Sequence, residues 1–124
     1  MEAALFAGVP VSDFDRAVAW FEALLGKPAT FEAHDTEQVW ELAENRSMYV
    51  VLRPARAGNA LVTAFFLQPD DLDGFVAAAA SRGIHSTTQE TYENGVRKVT
   101  YHDPDGNEIG FGSMPPPEEP PAPR

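Results

Sequence analysis

Ser12-Asp13-Phe14-Asp15-Arg16-Ala17-Val18-Ala19 and Asp70-Asp71-Leu72-Asp73-Gly74-Phe75-Val76-Ala77 are two versions of one segment, offset by 58 residues (70 − 12). Each follows a β-like run and opens a helical pattern. A repeat of this kind makes the chain two copies of one supersecondary unit, so it decides the fold before any finer reading. Ahead of the first copy, Leu5–Val11 reads as a strand. Ser12, with Asp15 three residues on, makes a capping-box-like start. Phe14, Ala17, Val18, Phe21, Leu24 and Leu25 then recur at helical spacing. Gly26 suits the left-handed position after the last turn, and Pro28 stops the helix from resuming. Ahead of the second copy, residues 61–67 form the strand. Leu72, Phe75, Val76, Ala79 and Ala80 supply the next apolar stripe, which Gly83 ends.

Each helix is followed by enough chain for three short strands. The spacing places these at 29–33, 39–42 and 48–53 in the first half, and at 86–90, 96–101 and 107–112 in the second. Asn94-Gly95 supplies one turn, because both residues tolerate positive φ. Asp103-Pro104-Asp105-Gly106-Asn107 supplies another, with Pro104 presetting the first turn position and Gly106 taking the strained one. The expected architecture is α+β: two βαβββ modules, at about 4–54 and 60–113, forming curved mixed sheets around a cleft. They make one domain over 1–114. Residues 115–124, Pro115-Pro116-Pro117-Glu118-Glu119-Pro120-Pro121-Ala122-Pro123-Arg124, read as a proline-rich disordered tail, with a proline-binding partner as the other reading.

Composition narrows the function. The chain has 124 residues, 44% apolar and 23% charged, as in an ordinary globular protein. No apolar run approaches the roughly 18–20 residues of a membrane span. The N-terminus lacks a basic and apolar leader, so the expected location is cytoplasmic. With no cysteine, thiolate metal sites and Cys nucleophiles are excluded, and a metal would have to be held by Asp, Glu or one of His34, His85 and His102. A net charge of −10 argues against nucleic acid and anionic membranes as partners, and would favour the arrival of cationic ligands. Ser12 and Ser47 have no His and acid at a triad-like spacing, and no phosphate-binding loop is present.

The doubled unit, closing on Asp103-Pro104-Asp105-Gly106-Asn107-Glu108-Ile109-Gly110-Phe111, resembles the vicinal oxygen chelate superfamily of glyoxalases, extradiol dioxygenases, fosfomycin-resistance enzymes and bleomycin-resistance proteins. The resemblance runs over about 4–113. It is strongest in Gly8-Val9-Pro10-Val11-Ser12-Asp13 and in the 103–107 turn. It implies strands curving around a cavity, with sites often completed in a homodimer. It also implies metal ligands on inward strand positions. Seven residues before the Asp that opens each helix, relatives carry His; here those positions are Phe6 and Ala64. Three residues after the turn, relatives carry Glu; here it is Gly110. The last strand of the first half has no His, Asp or Glu over 48–53. Phenyl, methyl and hydrogen side chains cannot donate to a cation, whereas a catalytic site needs about three protein ligands. The expectation is a pocket that uses no metal and no other cofactor.

Strand alternation assigns the faces. Ala7, Val9 and Val11 should pack on the first helix, and Phe6, Gly8 and Pro10 should face the cavity. In the second half, Phe65 and Leu67 are assigned to the helix, with Ala64, Phe66 and Gln68 to the cavity. Ile109 and Phe111 are assigned to the helix, with Glu108, Gly110 and Gly112 to the cavity. Phe6, Trp40, Tyr49, Phe66, Glu108 and Gly110 are therefore the candidate ligand-binding residues. Trp40 reads equally well as a core or dimer-interface residue. His102 reads as a turn-stabilising residue or, beside Asp103, as an acid–base group.

Three functions fit. One is a metal-free protein that binds an aromatic or cationic small molecule, sequestering an antibiotic or metabolite. The second is a lyase, isomerase or dioxygenase-like enzyme on the same scaffold, working without metal or through unusual groups such as Glu41, His102 and Glu108. The third is a regulatory or interaction module.

Overall fold

A computed structural model describes residues 1–115. The element order is β1 (Leu5–Val11), α1 (Phe14–Leu25), β2 (Phe31–His34), β3 (Glu37–Ala43), β4 (Arg46–Leu52), a 3-10 turn (Pro54–Arg56), β5 (Leu61–Phe66), α2 (Asp71–Ser81), β6 (Thr88–Thr91), β7 (Arg97–His102) and β8 (Glu108–Ser113). The strands form two four-stranded sheets, β1-β4-β3-β2 and β5-β8-β7-β6. β1 pairs parallel to β4 and β5 parallel to β8, and the remaining pairs are antiparallel. The expected α+β fold of two βαβββ units is the observed one. The expected tail lies outside the described residues, apart from Pro115.

Each sheet buries one face under its helix. In the first half Val9, Val11, Trp40, Met48 and Val50 meet Ala17, Phe21 and Leu24 of α1, all buried. In the second, Val99, Tyr101, Ile109 and Phe111 meet Leu72 and Ala79 of α2. Fully burying one of the larger of these side chains contributes about 1.5–3 kcal/mol. The two sets join in one core.

Polar contacts also tie the halves. Asn107 is fully buried; its Nδ2 donates to the Pro10 carbonyl at 2.8 Å and to Asp103 Oδ2 at 2.8 Å, and its Oδ1 accepts from Ala60 N at 2.9 Å. Asp105 accepts from the backbone N–H and hydroxyl of Ser12. The 103–107 turn is therefore a joint between modules as well as a hairpin. At the far ends of the helices, Arg82 donates to the Ala23 and Leu24 carbonyls, which the end of α1 leaves without helical partners.

Two expectations are corrected here. The N-cap of α1 is Asp13, whose carboxylate accepts from Arg16 N at 3.2 Å; Ser12 points instead to Asp105. The N-cap of α2 is Asp70, so the cap-to-cap offset is 57 (70 − 13), not 58. Side chains alternate with period two, so this one-residue slip exchanges the faces expected for β5. Val62, Ala64 and Phe66 pack against the core; Leu61, Thr63 and Phe65 lie on the opposite face.

Candidate binding face

The face of each sheet away from its helix is the candidate site. Register fixes its members. In the first sheet they are Phe6, Gly8 and Pro10 of β1, opposite Ser47, Tyr49 and Val51 of β4, with Val39 and Glu41 of β3 beyond. In the second they are Thr63 and Phe65 of β5, opposite Gly110 and Gly112 of β8, with Lys98, Thr100 and His102 of β7 beyond.

Phe6 is 51% exposed on this face. The Tyr49 ring reaches across to the neighbouring strand and lies over Gly8: a Cβ added there would sit 2.6 Å from Tyr49 Cζ. Only a glycine lets the ring lie so low. Gly110 is likewise covered, by the Lys98 side chain; a Cβ at Gly110 would be 2.8 Å from Lys98 Cε and 3.3 Å from Thr63 Oγ1.

Glu108, at the edge of the same face, lies 3.7 Å from His102 Nε2. Thr87 donates its hydroxyl proton to the Thr100 carbonyl, and its Oγ1 lies 2.7 Å from His102 Nδ1. His102 thus pairs with Glu108 and Thr87, not with Asp103. The Asp103 carboxylate is occupied by Asn107 and by the N–H of Asp105, and burial pushes its pKa up against the pull of those donors.

Trp40 and Phe66 are not on this face. Trp40 is fully buried, 6.0 Å from the Phe21 ring, and its Nε1 donates to the Lys27 carbonyl at 3.0 Å. It is a core residue: Val39 and Trp40 are both buried, so burial alone does not separate the two faces of β3. Phe66 stacks on Phe111 at 5.9 Å and meets Phe75 at 5.5 Å, on the helix side. It does line a second cavity of about 730 Å³, whose lining combines Ala7, Met48 and Ala64 of the helix-side faces with Ser47, Thr63 and Phe65 of the open faces.

The cavity on the first sheet's open face has a volume of about 480 Å³. Gly8, Tyr49 and Val51 form its floor. Arg53, Arg56 and Asn59 of the connector between the halves form its wall. Sequence reading missed this wall; the signal available was a pair of arginines, Arg53 and Arg56, in the link of an otherwise acidic chain.

The metal positions implied by the resemblance do not fit a cation. With the offset corrected to 57, the second-half counterpart of Phe6 is Thr63 rather than Ala64, and neither side chain is a carboxylate or imidazole. Glu41, His102 and Glu108 do not converge: His102 and Glu108 lie on the second sheet and Glu41 on the first. Among the described residues, no three His, Asp or Glu side chains are grouped so as to hold a metal. Nor is any described helix long and apolar enough to cross a membrane.

In sequence, residues 4–111 match the family model for the glyoxalase/bleomycin resistance protein/dioxygenase superfamily. The chain belongs to that superfamily. Its structure is similar to that of a glyoxalase/bleomycin resistance protein from Catenulispora acidiphila DSM 44928, with 51% identity, 92% of this chain and 100% of that chain covered, and a TM-score of 0.86. A bleomycin-binding protein complexed with bleomycin is 21% identical, with 91% and 98% covered and a TM-score of 0.70. A lactoylglutathione lyase from Agrobacterium tumefaciens is 12% identical, with 91% and 94% covered and a TM-score of 0.71. At those two identities the likeness is one of fold. No curated protein matches the chain in sequence.

Proposed function

We propose that this superfamily member binds a small organic molecule on its open sheet face without a metal ion, and that it acts by sequestering an antibiotic or metabolite. The observation that carries the reading is the chemistry at three positions. Phe6, Thr63 and Gly110 stand where the resemblance places His, His and Glu, and the Lys98 side chain lies over Gly110. An ammonium group there repels a cation and leaves shape, ring stacking and charge as the means of recognition. Phe6, Phe31, Leu61 and Phe65 are all large apolar residues left exposed. Surface of this kind favours association, and we propose a homodimer in which a second copy covers it.

The test is ligand-induced thermal stabilisation before and after exhaustive chelation, with elemental analysis of the purified protein. Unchanged stabilisation and no stoichiometric metal are the expected results. A transition ion retained after dialysis, with ligand binding lost on its removal, overturns the reading. Light scattering checks the dimer, and a monomer at micromolar concentration overturns that part alone.

The His102–Glu108 pair supports a second reading, a metal-independent proton-transfer enzyme on the same face. A turnover that disappears in His102→Ala while ligand binding persists would favour it over sequestration.

A further inference from the structure

The chain carries a net charge of −10, yet the 480 Å³ cavity has two arginines and no acidic residue in its lining. Overall charge steers approach from a distance, whereas the groups at the wall decide what is held. Resting on the binding reading above, we infer that this cavity takes a small organic anion, its carboxylate or phosphate group held by Arg53 and Arg56 and its flat apolar part lying against Tyr49.

Four observations carry this. First, neither arginine forms an ion pair with any carboxylate among the described residues. Each guanidinium keeps a planar fork of donors suited to two acceptor oxygens. Second, the backbone beneath them is anchored. Arg53 N donates to the Val11 carbonyl at 3.0 Å and Arg56 N to the Arg53 carbonyl at 3.0 Å. Gly58, at φ 88°, lies so close to the 103–107 turn that a Cβ would meet the Asp105 carbonyl oxygen at 2.7 Å. The connector is held against both modules, so both arginines start from fixed points. Third, neither nearby acidic group lines the cavity: Asp105 accepts from Ser12, and Glu37, which is paired in register with Val51, lies 3.5 Å from His34. Fourth, Tyr49 lies over Gly8 at the floor of the same cavity, which gives a ring-shaped ligand a surface to lie on.

The experiment uses the full chain and three probes that share one naphthalene ring and differ in charge: 2-naphthoate, 2-naphthylmethanol and 2-naphthylmethylammonium. Calorimetric titration at low ionic strength is run on the native protein and on R53Q/R56Q. The expected result is naphthoate binding at least about tenfold tighter than either other probe, weakening with added salt, and falling about tenfold or more in the double variant. Both arginines are exposed, so the variant should melt where the native protein melts. If the alcohol or the ammonium binds as tightly as the carboxylate, or if R53Q/R56Q keeps full naphthoate affinity, the anion inference is overturned while the binding reading stands. If none of the three binds, the anion inference is overturned, and if a wider compound panel also fails, the binding reading falls with it.

Discussion

The two open faces carry the same device with its parts exchanged. In the first half a glycine on the edge strand, Gly8, lies under an aromatic ring on the inner strand, Tyr49. In the second half the ring is on the edge strand, Phe65, and the glycine on the inner one, Gly112; a Cβ there would be 2.7 Å from Phe65 Cζ. Pairing register makes Gly8 the counterpart of Phe65 and Tyr49 that of Gly112. What the two halves share at this level is one ring and one glycine, so that the ring can lie low along the sheet. What function can choose is which strand carries the ring and what surrounds it. The first half sets a phenol beside Arg53 and Arg56; the second sets a phenyl over Gly112, with the Lys98 side chain over the neighbouring Gly110. Similar scaffolds are thus given different chemistries by a handful of side chains.

The largest expected effect lies where the halves differ most, in the turn before the last strand. The first half turns through Asn45, at φ 59°, whose carbonyl accepts from Leu5 N within the same module. The second half turns through 103–107, and Asn107 bonds to the other module. Asn107→Ala leaves the part-buried Ala60 N–H and Pro10 carbonyl without their partner. The expected loss is about 3 kcal/mol or more in urea unfolding. A loss below about 1 kcal/mol would mean that the apolar core alone holds the modules together.

Next comes the exchanged pair itself. Gly8→Val and Gly112→Val each place a side chain inside the volume of the ring above, so the ring must swing away. Each change should cost about 1–3 kcal/mol. Removing the obstructing ring should recover part of that cost, so Gly8→Val with Tyr49→Ala, and Gly112→Val with Phe65→Ala, are the double-mutant cycles that measure the contact. The halves should then part company in binding: Gly8→Val abolishes naphthoate binding, whereas Gly112→Val leaves it within about twofold. Equal loss from both would place the ligand across the two faces rather than on the first.

Much of this was legible in the sequence. Leu5–Val11, the two helices and the Asp-Pro-Asp-Gly-Asn turn carry local signals strong enough to specify them: alternation, capping and residues suited to positive φ. The site was less legible, for physical reasons that can be named. Asp70 and Asp71 are adjacent and both can cap a helix, so pattern could not choose between offsets of 57 and 58. With a period of two, that single step sent Phe66 to the wrong face. Trp40 read equally as a stacking surface and as a core or interface residue, because a large aromatic on a strand suits either face; only the Lys27 carbonyl and Phe21, brought near by folding, make it core. Arg53 and Arg56 sit in a connector, where no periodicity indicates what a side chain will face.

The smallest effect separates the large buried aromatics of the two third strands. Trp40 has its polar atom satisfied by the Lys27 carbonyl; Tyr101, equally buried, has a hydroxyl with no partner. An unsatisfied buried hydroxyl costs free energy, so Tyr101→Phe should raise stability by about 1 kcal/mol, whereas removing the indole N–H of Trp40 could only lower it. The same burial pushes the Tyr101 pKa up. In the unfolded chain the phenol ionises near its ordinary value of about 10, while in the folded chain it holds its proton to higher pH. Above that ordinary value the folded state binds more protons than the unfolded one, so stability falls as pH rises. Tyr101→Phe should remove this share of the alkaline loss, and its advantage over the native protein should widen between pH 9 and 11 (roughly, the window around the ordinary phenol value). Thermal melts of both proteins across that range measure it. A constant gap would show that the hydroxyl ionises as freely in the folded chain as in the unfolded one, and a gap of opposite sign would show that it has a partner, a water or a moved carbonyl, that the phenyl ring cannot replace.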